Sequence, residues 1–384
     1  MDAPWSSPKT LSTTDSISRL SQEILDFEKY IAPTDREQRL RSDALNMIQW
    51  LIESMFSPMP VVEAFGSFVT SLALPSSDVD IVIRFDKPVM PRNILNKIYR
   101  EARRRIMFKR SEFIRAAKTP IITGRLSNGV SVDISVQGNV TSSERTVTWI
   151  KEYPELKPLF MVLKQSLSAF RLRNVWTFEP LSAKTAGLCN FGLICLIVSY
   201  LQLHKPTDIT STDPQYYGRL LLGLLDYYAH DFDASKHIIS VNDEGKYYPM
   251  REMNKVLGDY YYESGKLFII NPDEPGRNVT AALQHFDYLQ LIFKTASSLL
   301  KSRLSKKEPV SILSSIIKVE TRYSEKRRKE LDDFMVDYIY ANMDEMMYTR
   351  QNDDLRGSKK RRRRSDDDDD TRAEERVGKH IRFE

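Results

Sequence analysis

Gly66-Ser67, followed by Asp78-Val79-Asp80 at the head of the apolar run Val79-Asp80-Ile81-Val82-Ile83, is the stretch that decides the fold. A Gly-Ser turn brings backbone N–H groups against phosphate oxygens, because glycine has no Cβ to obstruct the approach. Side chains on a strand alternate between faces, so Asp78 and Asp80 point the same way and can share a divalent ion. Farther on, Val130-Ser131-Val132-Asp133-Ile134-Ser135-Val136 reads as another alternating strand with one carboxylate among apolar residues. Asp-x-Asp alone is weak, since it often closes a turn or caps a helix. The combination is sharper: an apolar strand (Val61, Val62, Phe65), the Gly-Ser turn, a short helix, Asp-x-Asp opening a second strand, and Asp133 on a third. A buried strand carboxylate is costly without a cation or hydrogen-bond partner. Three carboxylates on neighbouring strands beside a phosphate-binding turn make a two-magnesium phosphoryl-transfer site, the equipment of a nucleotidyltransferase.

The 384 residues are enough for two domains with a sizeable core. Lys and Arg number 57 against 52 Asp and Glu, a net charge of +5. Residues 357–384 hold ten basic and eight acidic side chains, so the rest carries 47 against 44 and is nearly neutral. Any nucleic-acid contact therefore uses a local patch rather than a global field. Two cysteines, Cys189 and Cys195, lie in an apolar run and read as core thiols; with no disulfide framework or zinc spacing, they fit a reducing compartment. The five histidines are scattered and receive no role. Met1–Thr14 is polar and lacks a signal-peptide core. Leu188–Leu203, the most apolar stretch, is sixteen residues long and contains Asn190, Ser199 and Gln202. That suits a buried helix better than a membrane span.

Thr34-Asp35-Arg36-Glu37 is a capping-box pattern that opens a helix to about Met55. Strands follow at Val61–Phe65 and Val79–Phe85, then a basic amphipathic helix at Pro91–Phe108 and a strand at Phe113–Leu126 around Pro120. The Asp133 strand closes this unit near Gly138. From Ser142 the pattern turns helical, with Glu155–Phe170, Leu188–Leu203, Tyr216–His230 and Thr280–Lys301 as helices and Leu267–Ile270 as a short strand. The expected fold class is α+β: a nucleotidyltransferase domain (34–141) with a small mixed sheet and helices, and a mostly helical central domain (142–320). Residues 1–33 pack partly on the central domain. A charged helix (321–355) and a disordered basic and acidic tail (356–384) complete the chain. The tail carries Lys359–Arg364, which matches a nuclear-import or nucleic-acid patch, before Asp366–Asp370.

The stretch Phe65-Gly66-Ser67-Phe68-Val69-Thr70-Ser71-Leu72-Ala73-Leu74-Pro75-Ser76-Ser77-Asp78-Val79-Asp80 resembles the catalytic signature of the noncanonical poly(A) polymerases. Within the DNA polymerase beta-like superfamily it looks most like the topoisomerase-related (DNA polymerase sigma) branch. The likeness extends to Asp26–Thr34, Glu155–Gln165 and Ile197–His204, in order, and covers about residues 20 to 300. The resemblance implies that Asp78 and Asp80 hold two Mg²⁺ ions, with Mn²⁺ as an alternative. It implies that Asp133 helps to bind the catalytic metal and favours deprotonation of the RNA 3′-hydroxyl. Gly66 and Ser67 would hold phosphates, and Lys164 would reach the triphosphate. It also implies an RNA 3′ end and ATP as substrates, an RNA-binding adaptor and a helicase as partners, no membrane, and a place in the nucleus or nucleolus.

Two departures bear on function. Where the family has a Gly-Leu-Ser-Ser-Tyr type segment, this chain has Gly187-Leu188-Cys189-Asn190-Phe191, after an insertion around Phe178–Ala186. Phe191 keeps an aromatic face for the base, worth about 1–3 kcal/mol, and loses the hydroxyl; Asn190 can still donate a hydrogen bond. The loop Asn271–Asn278 and Val279 match the family's nucleotide-recognition motif. Uridylyl-transferring relatives place a histidine before the Asn-Val-like pair, whereas Arg277 precedes Asn278 here, which leans toward ATP. For RNA phosphates the sequence offers Arg171, Arg173, the basic helix Lys97–Arg110 and the tail. The expected activity is addition of AMP to RNA 3′ ends in nuclear RNA surveillance or processing. The alternatives are a terminal uridylyltransferase, a catalytically weak RNA- or protein-binding scaffold, and, last, a small-molecule nucleotidyltransferase.

Overall fold

In this computed structural model, residues 3–117, 119–169, 180–181, 186–252, 266–306 and 308–317 are described. They fall within one compact unit that extends to Glu325. Arg171, Arg173, most of the Phe178–Ala186 insertion, the expected charged helix and the tail lie outside the described residues.

Two short helices open the chain, α1 (Pro8–Leu11) and α2 (Ser16–Ile31). The next helix, α3 (Asp35–Met55), starts on the expected capping box. Thr34 Oγ1 accepts from the Glu37 N–H at 3.3 Å while the Glu37 carboxylate accepts from the Thr34 N–H at 2.8 Å. It buries Leu40, Ala44, Ile48, Leu51 and Ile52 against the sheet that follows. That sheet is built from β1 (Val61–Phe65), β2 (Val79–Arg84), β3 (Phe108–Ile114), β4 (Ile121–Leu126) and β5 (Ser131–Val136), in the order β1-β2-β5-β4-β3. Only β2 and β5 are parallel, joined across α4 (Pro91–Arg104) and the β3–β4 hairpin.

Three expectations here need correction. The link from Gly66 to Asp78 contains turns instead of a short helix. Gly66 (φ +70°) and Ser71 (φ 58°) are left-handed, which a right-handed helix cannot absorb. Phe113–Leu126 is the hairpin of β3 and β4 rather than one strand, because Pro120 has no N–H for a ladder and falls in the loop. For the same region α4 stops at Arg104, and Ile106, left-handed at φ 54°, turns the chain into β3.

The second core is helical. It is formed by α5 (Thr141–Glu152), α6 (Leu156–Ala169), α7 (Asn190–Leu203), α8 (Tyr216–Asp226) and α9 (Phe286–Leu304). Helix α7 is buried nearly all round, as its sequence requires. A turn of wider helix, Tyr227–Asp231, extends α8. Helix α9 starts at Phe286 instead of near Thr280, because Thr280 Oγ1 donates to the Leu267 carbonyl at 2.8 Å. A three-stranded sheet of β6 (His237–Ser240), β7 (Lys246–Pro249) and β8 (Phe268–Ile269) carries the chain back toward the first sheet. Of these strands the sequence indicated only β8.

Helix α2 belongs to this second core: Leu20, Ile24 and Phe27 are fully buried against α6 and α8. Glu23 on the same helix is also fully buried. Its carboxylate accepts from the Ser311 hydroxyl (2.6 Å), the Ile312 N–H (3.0 Å) and the Leu313 N–H (2.8 Å). Burial raises its pKa, and those three donors oppose the rise. Removing the acceptor would orphan three buried donors, so Glu23→Ala should lose about 2–4 kcal/mol in urea unfolding. An unchanged midpoint would mean that the 311–313 segment is not held from α2.

Candidate active site

On the face of β2 and β5 away from the carboxylates, Val79, Ile81, Ile83, Val132 and Ile134 are all closed to solvent and Val136 nearly so, and Val82 is closed on the carboxylate face. Their parallel register sets Asp80 directly beside Asp133. Both carboxylates are half-buried, and Asp78, two residues earlier and on the same face, is exposed. Burial, then Asp133, then Asp78 push the Asp80 pKa up to about 7, with Lys164 opposing. Lys164, from α6, is pulled down to about 8 by its own burial, against the attraction of Asp80 and Asp78. The four side chains therefore share one electrostatic site.

Asp133 Oδ1 is buried without a hydrogen-bond partner among the described residues. Such an oxygen needs a cation or a donor to offset its desolvation. A hard divalent ion, bound by oxygen, fits a set of three carboxylates with one orphaned oxygen. As placed, no three His, Cys, Asp or Glu side chains among the described residues converge on a single metal point. Like charges at this separation repel, and a cation would draw them inward.

The Gly-Ser turn lies hard against this site. Phe65 pairs with Asp80 across β1 and β2, and Gly66 follows at φ +70°. A Cβ on Gly66 would sit 2.1 Å from Asp80 Oδ2, so glycine is required both by conformation and by space. The Gly66 N–H, expected to face phosphate, donates to Ser143 Oγ of α5 at 2.8 Å. The Ser67 N–H and hydroxyl have no partner among the described residues. The loop between turn and carboxylates is pinned from α3: buried Arg41 donates to the Leu74 (3.0 Å) and Pro75 (3.2 Å) carbonyls. The Ser77 hydroxyl accepts from the Leu74 N–H at 2.9 Å.

The remaining expected residues gather around α5 and the 271–279 loop. Asn278 shapes that loop. Its side-chain oxygen accepts from the Ile269 N–H (3.0 Å) and the Thr280 N–H (2.9 Å), and its amide donates to the Leu267 carbonyl (3.1 Å). These bonds hold the loop in shape from within. Arg277 is mostly exposed and paired with Glu274 at 2.8 Å. Asn190 is exposed at the start of α7, just after Cys189, whose Sγ caps the helix by accepting the Gly192 N–H at 3.2 Å. Phe191 is half-buried and stacks on Trp149 of α5, ring centroids 6.0 Å apart and 14° from parallel. One of its faces is therefore already covered.

Helix α5 ties the two groups together, which no local sequence signal revealed. Ser143 holds the Gly66 turn, Arg145 Nε (2.8 Å) and Nη2 (2.6 Å) both donate to Asp273 Oδ1 in the loop, and Trp149 backs Phe191. Arg41 carried a weak signal, a charged residue inside the apolar face of α3. The expected basic helix is less available than its sequence implied. Arg104 and Arg105 are both paired with Glu101, and Arg103 lies over the Tyr99 ring.

The family model for the central palm domain of mitochondrial-like poly(A) RNA polymerase matches residues 20–146, and that of the Cid1 family poly A polymerases matches 216–277. The inactive noncanonical poly(A) RNA polymerase protein Trf4-2 of Drosophila melanogaster is 29% identical over 72% of this chain and 67% of its own length. Poly(A) RNA polymerase protein 1 of Saccharomyces cerevisiae is 27% identical over 74% of this chain. The match takes in 44% of the yeast protein, so the chain spans under half of that relative's length. Among solved structures, the polymerase core of TRAMP, an RNA surveillance complex, superposes with a TM-score of 0.72 at 23% identity, covering 83% of this chain and all of that one. A Cid1 poly(U) polymerase superposes at 0.61 with 21% identity over 78% and 98%. These likenesses show the fold.

The Gly66 contact gives a direct test. Gly66→Ala should leave circular dichroism nearly unchanged yet displace the Asp80 carboxylate, lowering turnover by at least a hundredfold. Wild-type turnover in this variant would show that the turn does not abut Asp80 in the working protein.

Proposed function

Because the chain belongs to the Trf4/Cid1-type noncanonical poly(A) polymerases, we propose that it is a template-independent nucleotidyltransferase adding AMP from ATP to RNA 3′ ends. The observation that carries this reading is Asp80 beside Asp133 in register, with Asp78 on the same face, Lys164 in their field and Gly66 against Asp80. Asp78, Asp80 and Asp133 would hold two Mg²⁺ ions, for which Mn²⁺ is the natural substitute. What the bound ions supply is easier ionisation of the 3′-hydroxyl and charge balance on the triphosphate and departing pyrophosphate. Asp133 orients the acceptor hydroxyl and favours loss of its proton. Lys164 approaches the triphosphate, and Ser67 offers it an N–H and a hydroxyl. Asn190 presents its amide at the α7 N-terminus, and Phe191 presents its uncovered face to the base.

Arg277 in place of a histidine, together with the poly(A) polymerase names of the yeast relatives, supports ATP over UTP. The likeness to the core of an RNA surveillance complex supports work with an RNA-binding adaptor and a helicase. It also supports a nuclear, including nucleolar, location, to which the basic block 359–364 would contribute. None of the helices among the described residues is long and apolar enough to cross a membrane. A second reading, a catalytically weak scaffold, is favoured by the Phe191–Trp149 stack, by the engaged Gly66 N–H and by the inactive Drosophila relative.

Purified protein with Mg²⁺ and labelled single-stranded RNA, given each NTP separately, decides between them. The expected result is ATP-dependent 3′ extension that Asp78→Ala/Asp80→Ala abolishes. Preference for UTP would make it a uridylyltransferase. No extension even with an adaptor supplied would leave the scaffold.

A further inference from the structure

Helix α4 ends in the turn that usually closes on a glycine, yet no glycine is there. The Ile106 N–H donates to the Arg103 carbonyl at 3.1 Å, and the Met107 N–H donates to the Ala102 carbonyl at 3.0 Å. Met107 and Ala102 are both buried at this turn. Its apex needs a left-handed residue, a place that glycine takes most often. Here the apex is Ile106, at φ 54°. Five non-glycine residues among those described are left-handed, and Ile106 alone of them is β-branched. In that conformation a branched side chain crowds its own backbone, so the position is strained.

Packing does not offset this strain. Ile106 is 79% exposed, the most exposed large apolar side chain among the described residues. Met90, the next at 68%, sits at an ordinary φ of −84°. The corner that presents Ile106 is nonetheless fixed. The Ser127 N–H donates to the Met107 carbonyl at 2.9 Å. Arg105 is held by Glu101 at 2.7 Å and lies over the Trp50 ring, 4.7 Å from its centre. Strain kept at a rigid corner, with no return in packing, is a mark of function.

The chemistry of the ligand follows from the surroundings. Residues 100–110 hold six cations against Glu101 alone. Arg100, Arg103, Arg104 and Lys109 are exposed, and Glu101 is engaged by Arg104 and Arg105. A single-stranded polynucleotide would answer the charge, but its bases stack on aromatic rings, and Ile106 offers none. A lipid surface takes up a whole apolar helix face, where this corner presents one side chain. A protein surface answers both features, with an apolar socket for the isoleucine and carboxylates for the arginines. We propose that the α4–β3 corner docks a partner protein, with Ile106 seated in an apolar socket and Arg103, Arg104 and Lys109 facing Asp and Glu side chains on its rim. The corner opens onto β3, the edge strand, which β5 and β4 separate from β2. The proposal is therefore independent of the nucleotidyl-transfer reading.

Two measurements on the full chain test it. In thermal unfolding, Ile106→Gly should raise the melting temperature by about 1–3 °C, because glycine takes the left-handed apex without strain. An unchanged or lowered melting temperature would overturn the argument, since the isoleucine would then be held at no cost. For the partner, a diazirine-bearing lysine analogue replaces Lys109, and the chain is irradiated in an extract of its own cells, with Ile106 and with Ile106→Asp. A protein captured only with Ile106 is then purified and its affinity measured by fluorescence anisotropy. Ile106→Asp should weaken that affinity about tenfold or more, the loss of one buried aliphatic anchor. Arg103→Glu/Arg104→Glu should weaken it severalfold, and added salt should slow association. The crosslinked site should map to an apolar pocket flanked by Asp or Glu. No protein captured, capture indifferent to Ile106→Asp, or an unchanged affinity of the purified protein would overturn the proposal. Crosslinks confined to RNA, to phospholipid or to a second copy of the chain would overturn it as well.

Discussion

The arrangement depends on two carboxylates that the backbone forces together. Parallel pairing of β2 with β5 sets Asp80 beside Asp133 inside a sheet whose neighbouring positions are closed to water. Burial and mutual repulsion raise Asp80, and one Asp133 oxygen has no partner among the described residues. Folding alone does not reward this. The site stores unfavourable electrostatics that a bound divalent cation would relieve, so stability is spent where function requires it.

The surrounding elements can be understood as holding that pair in place. The Gly66 turn touches Asp80 from the edge strand, Arg41 fixes the carbonyls of the loop leading to Asp78, and α6 brings Lys164 into the same field. Helix α5 then couples the catalytic sheet to the helical core. It holds the glycine turn through Ser143, the 271–279 loop through Arg145 and the Phe191 ring through Trp149. The 271–279 loop and the glycine turn beside Asp80 are thus held from one helix.

Much of this was legible in the sequence, for identifiable reasons. The alternation of β2 and β5 and the capping box of α3 are local patterns, and each formed where its residues placed it. The buried α7 announced itself by composition. Pro120 was visible, yet its consequence, a hairpin instead of one strand, depended on β3 pairing with β4. Asn278 was found as part of a motif, but its bonds to Leu267, Ile269 and Thr280 are set by the fold of the loop. Ser143 and Arg145 were invisible because their partners lie 77 and 128 residues away.

Counting bound Mn²⁺ by electron paramagnetic resonance, with a nonhydrolysable ATP analogue present, tests the central claim most directly. The account predicts two ions per chain, with binding sharply weakened in Asp133→Asn while that variant stays folded. Undiminished binding of both ions to Asp133→Asn would contradict it.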